Sequence, residues 1–288
     1  MTWLSDKSLK TLKEFLEMPI ESTDPVFSRF GNEPGTVIRG EGLRKFVYVP
    51  GRRRKDRVLL VAHADTVWDS EYTGETRLER RLACENGVIW NIHGGLGADD
   101  RAGCAMIWEL RHLGHSILIT NGEEQGRVGA TWLMDENPDI ADEINSTHQF
   151  MVQLDRRNGS DFKCYSVGSA PFRRHVEKMT GFSEPDRRVF TDIVALCRDV
   201  CGVNLSIGYS GEHTDNERLH IAHWNQTLKV CQAWLGQDRL PRFALRKAMS
   251  NPRPLAGARR GKGRPSRSSP QGGEGAMGLV RDGCITEA

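Results

Sequence analysis

Residues 115–124, HSILITNGEE, run four apolar or β-prone side chains, Ile117 to Thr120, directly into Asn121, Gly122 and two adjacent glutamates. An apolar run of this length, closed by a turn signal, reads as a strand buried on both faces. Neighbouring side chains on a strand point to opposite faces, so Glu123 and Glu124 cannot share one function. Either the doublet is a solvated turn, or each carboxylate faces a different partner at the strand's end.

The same pattern recurs along the chain. KFVYVPG (45–51) and RVLLVAHAD (57–65) read as strands, the second almost continuously apolar, and HQFMVQLD (148–155) is another of that kind. DFKCYSV (161–167) and VNLSIGYSG (203–211) complete the set of expected strands. Between them lie helical patterns: Leu9, Leu12, Phe15, Leu16 and Ile20 at the start, RAGCAMIWELRHLG (101–114), GRVGATWLMDE (126–136), SEPDRRVFTDIVALCRDVCG (183–202) and NERLHIAHWNQTLKVCQAWLG (216–236). Alternation of this type predicts an α/β fold, a three-layer αβα sandwich around a mixed, largely parallel central sheet. In such sheets ligand sites collect at the carboxyl ends of the strands.

Composition narrows the class. The 288 residues are 38% hydrophobic and 27% charged, enough for a sizeable core. No apolar run reaches the ~18 residues of a membrane span, and the amino-terminal segment lacks the apolar stretch of a secretory signal. The seven cysteines are odd in number and contain no C-x-x-C pair, which argues against a disulfide framework or zinc finger and for a reducing cytoplasm. The net charge of +2 conceals an asymmetry: residues 241–288 hold 10 Lys and Arg against 3 Asp and Glu, with five prolines and eight glycines. The reading is therefore a catalytic-sized domain over 1–240 and a basic, Pro/Gly-rich tail over 241–288 that cannot bury enough apolar surface to order itself. No aromatic residue follows Phe243, so base stacking, and with it nucleic-acid binding, is not suggested.

Four strands end in metal-ligand chemistry. His63 and Asp65 follow the second strand, Glu123 and Glu124 the third, Asp155 the fourth, and His213 comes after the last, while the glycine-rich IHGGLGADDRAG (92–103) brings Asp99 and Asp100 to a helix start. A lone histidine after a strand is usually a hydrogen-bonded loop residue, and a lone aspartate at a helix start is usually a cap. Several together are harder to dismiss. Two imidazoles and a set of carboxylates, with no thiolate required, suit zinc, cobalt or manganese. Asp65, two residues beyond His63 on an extended chain, is placed to receive the second N–H of a ligating imidazole.

The blocks HAD, GADDRAG, NGEEQG, QLD and GEHTDNE, in that order, resemble the co-catalytic two-zinc exopeptidases, the aminopeptidases and carboxypeptidase-like amidohydrolases that share one catalytic domain. The resemblance spans roughly residues 5–235. It implies two divalent metal ions, most simply zinc, held by His63, Asp99, Glu124, Asp155 and His213. Asp99 would bridge, with His63 and Asp155 on one ion and Glu124 and His213 on the other. Asp99 is preferred to Asp100 because it stands two before Arg101, as the family pattern requires, and relatives have a cis peptide after that residue. Glu123 would be the general base, with Asp65 the catalytic partner that orients His63. The glutamate doublet then has two distinct duties.

Asp155 and His213 are 58 residues apart, too few for the inserted lid domain of the deacylase branch, so the expectation is a compact enzyme without a lid. Metal-dependent hydrolysis of peptide bonds, by an aminopeptidase or dipeptidase, is the leading reading. N-acyl amino acid hydrolysis at the same centre is the alternative, and a non-catalytic binding protein the third. Glu212, Asp215 and Glu217 are candidates for an anionic pocket that receives a free α-amino group. His93 could line the pocket, as could Tyr209 and Ser210. Arg101 and Cys104 are expected to pack, and His112, His115, His148, His175, His220 and His223 have no comparable context. Oligomeric state and substrate side chain stay open.

Overall fold

The computed structural model describes residues 5–51, 54–74, 79–185 and 191–245. In chain order, α1 (Asp6–Leu16) and α2 (Asp24–Gly31) lead to β1 (Val37–Glu41), β2 (Arg44–Val49) and β3 (Leu59–His63). There follow α3 (Ser70–Thr73), β4 (Leu82–Glu85), β5 (Val88–Asn91), α4 (Ala98–Leu110) and β6 (Ser116–Thr120). Next come α5 (Val128–Glu136), α6 (Pro138–Ser146), β7 (Met151–Arg156), β8 (Phe162–Lys163), α7 (Ala170–Thr180) and α8 (Asp192–Leu196). The last elements are β9 (Gly202–Ser206), β10 (Tyr209–Ser210), β11 (Arg218–His220) and α9 (Ile221–Leu235).

Seven strands form the main sheet in the order β1-β2-β6-β3-β7-β9-β8. The central four, β6, β3, β7 and β9, are parallel, and the outer strands β1, β2 and β8 pair antiparallel. Every residue of β3, β6, β7 and β9 is buried, including the polar Gln153, Asp155, Arg156, Asn204 and Ser206 of the last two. Alternation sends Leu60, Ala62, Ile117, Ile119, Val152 and Val203 to one face, where Leu12 and Phe15 of α1, Ala102 and Ala105 of α4, Phe172 of α7 and Trp224 of α9 cover them. Leu59, Val61, Leu118 and Met151 point the other way, onto Ala130, Leu133, Ile144 and Ile193 of α5, α6 and α8. Helices thus cover both faces of a mixed sheet.

A separate antiparallel sheet, β10-β11-β5-β4, was not expected from the sequence. It joins residues 82–91 to residues 209–220, a pairing that no local pattern reveals. Other expectations need correction. The helix read over 183–202 is, among the described residues, only α8, with 186–190 outside them. The helix read from 216 begins at Ile221, because Arg218–His220 pairs with β5 and β10. DFKCYSV contributes only two strand residues, and α7 was missed despite its Ser169 cap and the left-handed Gly181 that ends it.

The first residues of the basic tail also depart from expectation. Cys201 N–H donates to Phe243 O at 2.9 Å, Leu245 N–H to Asp199 O at 3.0 Å, and the Phe243 ring lies 5.1 Å from Phe172. Composition hides this because the ordering comes from partners distant in sequence, among them Phe150, Phe172 and His175. The rest of the tail lies outside the described residues. No helix among the described residues is long and apolar enough to cross a membrane.

Candidate active site

The parallel strands β3, β6 and β7 end on one edge, and their carboxyl-terminal residues converge there. His63 closes β3, and Gly122, in the left-handed region at φ 70°, turns the chain after β6 so that Glu123 and Glu124 follow. Asp155 lies in β7 beside a register irregularity between Gln153 and Arg156, the kind of local bend that re-aims a side chain. Asp99 and Asp100 have non-helical dihedrals at the start of α4, and the peptide between them is cis. Gly103 is needed one turn later, because a Cβ there would sit 1.9 Å from Leu154 O and 2.2 Å from an Asp100 oxygen. His213 comes from the β10–β11 loop with φ 64°, an uncommon conformation for a residue with a side chain.

Asp99 is the hub. Its Oδ1 lies 3.2 Å from His63 Nε2 and its Oδ2 3.3 Å from His213 Nε2. His63 Nε2 is also 3.6 Å from Asp155 Oδ1, and His213 Nε2 is 3.1 Å from Glu124 Oε2. Two imidazole–carboxylate groups therefore share one aspartate, an oxygen each. Asp100 is turned away: its oxygens accept from the backbone N–H groups of His63 at 3.2 Å and Gly103 at 3.1 Å. Asp65 is fully buried behind His63, with its Oδ1 3.4 Å from His63 Nδ1. Its carboxylate also accepts from the N–H groups of Glu123 at 3.2 Å and Glu124 at 3.1 Å, and from Tyr72 Oη at 2.5 Å. One carboxylate thus ties the end of β3 to the glutamate turn.

Six carboxyl groups crowd two imidazoles in this edge. Burial pushes the Glu123 carboxyl well above its usual range, and the negative Asp155, Asp192 and Asp99 add to the shift. Burial likewise raises Glu124, Asp155 and Asp100. For Asp99 burial acts in the same sense, but hydrogen bonds to His213 and His63 win and hold it below the carboxylate range. Burial alone would lower His63, yet the neighbouring Asp155, Asp65 and Asp99 carry it well above an ordinary histidine. His213 is pushed up to about 11 by Asp99 and Glu124.

Such an excess of buried negative charge calls for cations, and the residues fit metal ions. Donor atoms on a tetrahedral ion with bonds of about 2.1 Å stand about 3.4 Å apart. The four imidazole–carboxylate separations, 3.1 to 3.6 Å, bracket that spacing. Ligand atoms of His63, Asp99 and Glu124 lie within 4.8 Å of one another, as do those of His63, Asp100 and Asp155. Glu124 Oε1 is buried with no hydrogen-bond partner, a donor atom left over for a cation.

Several partners were not legible in the sequence. Asp155 is held by Gln153 Nε2 at 2.8 Å, Thr191 Oγ1 at 2.9 Å and Tyr209 Oη at 3.2 Å. Glu217, expected as an amine-binding candidate, is instead fully buried and accepts from the N–H groups of Leu96, Gly97 and Asp99 at 3.1, 2.7 and 3.0 Å. It fastens the His213 loop to the Asp99 loop and has no surface to offer a substrate. Glu212 pairs with Arg157 at 2.5 Å, and Asp215 is exposed. His93 pairs with Glu79 at 3.3 Å and does not line the pocket. His115 and His148 are buried structural residues, pushed down by burial to about 4 and about 3. Arg101 is buried and donates to the carbonyls of Ala64, Pro19 and Ser22, while Cys104 packs under His63. A larger cavity of about 570 Å³ near Lys7, Glu109 and His115 gathers no comparable acid–base chemistry.

This arrangement of sheet and helices is the fold of the co-catalytic metallopeptidases. It is similar to the aminopeptidase PepT of Bacillus cereus, with 13% identity, 80% of this chain and 98% of that one covered, and a TM-score of 0.55. A tripeptidase from Staphylococcus aureus matches at 14% identity over 80% of this chain and 98% of its own, TM-score 0.57. An aminopeptidase from the archaeon Desulfurococcus kamchatkensis matches at 12% identity over 81% and 96%, TM-score 0.56. No protein-family model matches the sequence, and no curated protein matches it.

Proposed function

We propose that the chain is a two-metal hydrolase of peptide bonds, an aminopeptidase or dipeptidase without a lid domain, with its catalytic domain in residues 1–240 and Glu123 as general base. The observation that carries this is the division of Asp99, one oxygen toward His63 and the other toward His213. His63, Asp99 and Asp155 would hold one ion, and Asp99, Glu124 and His213 the other, zinc being the natural choice for this donor set with cobalt and manganese as alternatives. When bound, the ions polarise the scissile carbonyl and acidify the attacking water.

The side chains do the rest. The Glu123 side chain lines the cavity without a hydrogen-bond partner among the described residues, and burial gives it the affinity for a proton that a base needs. It takes the proton of the attacking water and hands it to the leaving amine. Asp65 holds His63 in the tautomer that leaves Nε2 free, and through the N–H groups of Glu123 and Glu124 it sets the height of the base above the carbonyl. Tyr209, Thr191 and Gln153 keep Asp155 from turning away.

The test is metal-reconstituted protein assayed on free-amino and N-acylated amide substrates, with Glu123→Gln alongside. Expected is metal-dependent turnover that the variant lowers by about 10²- to 10⁴-fold while still binding two ions. Turnover that survives the substitution would remove Glu123 from the mechanism, and none in either substrate class would overturn the reading.

A further inference from the structure

The acidic cavity has an arginine at its edge that the chemistry above leaves unused. The cavity measures about 180 Å³, and its walls include Asp99, Glu123, Glu124 and Asp155. Two arginines, 156 and 157, also border it. Arg156 is engaged: its side chain is 7% exposed and its Nε donates to Asp161 at 3.1 Å. Arg157 is 39% exposed and makes one hydrogen bond, from Nη1 to Glu212 Oε1 at 2.5 Å, so Nε and Nη2 have no partner among the described residues.

Arg157 also stands on a fixed base. The carbonyl of Arg156 accepts from Ile207 N–H at 2.8 Å, and Asn158 N–H donates to Tyr209 O at 2.8 Å, so the backbone is pinned on both sides of it. Arg157 is two residues beyond Asp155, and Glu212 immediately precedes His213. The pair therefore sits beside both halves of the site. Glu212 holds one arm of the guanidinium, which leaves the remaining donors pre-set rather than floppy.

Every other charged group that lines this cavity, apart from the engaged Arg156 and His213, is an acid. With the interior acids engaged on the two ions of the hydrolase reading, the free donors of Arg157 are the cationic side-chain group left at the cavity's edge, among the described residues, for an anionic substrate group. A guanidinium matches a carboxylate in two parallel hydrogen bonds. In a dipeptide or an N-acyl amino acid, a free carboxylate lies one Cα from the scissile nitrogen. In a longer peptide that position carries a neutral amide.

We propose that Arg157, oriented by Glu212, binds the free carboxylate of the substrate's leaving residue, which restricts the enzyme to dipeptides and N-acyl amino acids. This rests on the two-metal hydrolase reading.

The experiment compares kcat and KM of the metal-loaded full chain on Leu-Leu, Leu-Leu amide and N-acetyl-leucine, for the wild type, Arg157→Ala, Arg157→Lys and Glu123→Gln. Wild type should prefer one of the free acids to the amide by at least about tenfold, the size of one charge-assisted hydrogen bond. Arg157→Ala should lose about 10- to 100-fold in kcat/KM on that acid, mainly through KM, and under about threefold on the amide, with Lys recovering part. The favoured acid tells a dipeptide from an acyl amino acid. Glu123-dependent turnover with no preference for the acid, or an equal loss on acid and amide, overturns the role of Arg157 and leaves the hydrolase standing. Absence of Glu123-dependent turnover overturns both.

Discussion

Replacing Asp65 by Asn tests whether one buried carboxylate holds the site together. The side chain is fully buried and receives two backbone N–H groups, from Glu123 and Glu124, and the Tyr72 hydroxyl. Asparagine keeps the shape but turns one acceptor into an NH₂ donor. Whichever way the amide lies, one N–H of the glutamate turn then faces another donor. A lost charge-assisted hydrogen bond costs about 1.5–3 kcal/mol, and stranding a buried donor adds to it, so about 3 kcal/mol is expected. At 2–4 °C per kcal/mol for a domain of this size, the metal-free protein should unfold about 6–12 °C lower.

The same substitution takes the negative charge from the group 3.4 Å from His63 Nδ1 while leaving the backbone carbonyl of Asp65 at 3.1 Å, and should weaken metal binding about 10-fold. Thermal unfolding of the metal-free protein and competition with a chromogenic chelator read the two effects separately. Hydrogen bonds to His63 and Tyr72 outweigh burial and hold Asp65 below its usual carboxylate range. Its contribution is therefore present above that range and lost as pH falls through the folded value, so the gap between wild type and variant should close on acidification. An unfolding temperature within about 1 °C of wild type at neutral pH would refute the anchoring argument. Unchanged metal affinity would refute the orienting one.

Other outcomes follow from the same geometry. Replacing His213, whose side chain is 48% exposed, by Ala removes the cationic partner of Asp99 and Glu124 and should lower metal-free stability while the zinc bound per chain falls from two ions to one; equilibrium dialysis that still finds two would remove it from the ligand set. Burial raises Asp192 to about 7 and Glu217 to about 8, so each holds its proton in the folded state after the unfolded chain has released it, and metal-free stability should fall as pH rises from the carboxylate range to about 8. Asp192→Asn should flatten that slope, and an unchanged slope in the unfolding temperatures would exclude Asp192 as a source. Truncation after Leu245 should leave hydrolysis and unfolding temperature intact. Truncation after Leu240 removes Phe243 from Phe172 and His175 and should cost about 2 kcal/mol, seen as a drop of roughly 4–8 °C.

Much of this molecule was legible one residue at a time. Strands buried on both faces announce themselves as largely apolar runs: β3 and β6 lie within the segments so read, and β7 and β9 each reach one residue beyond theirs. Ligand-type residues at their ends follow the rule that parallel sheets gather chemistry at carboxyl ends, so His63, the glutamate doublet and Asp155 could be found without a structure. The tertiary structure decided what depends on partners distant in sequence. Helix α7 was missed because its buried face is only Phe172, Val176 and Thr180, too sparse for a clear period. Glu217 looked like a surface acid available to a substrate until three N–H groups about 120 residues upstream closed on it. Arg157 gained its meaning from Glu212, 55 residues away, and from the cavity they border. Periodicity and local chemistry reside in the order of residues, but which charged groups face each other depends on how β7, β10 and the Gly97 loop are brought together, and that is a property of the packed chain.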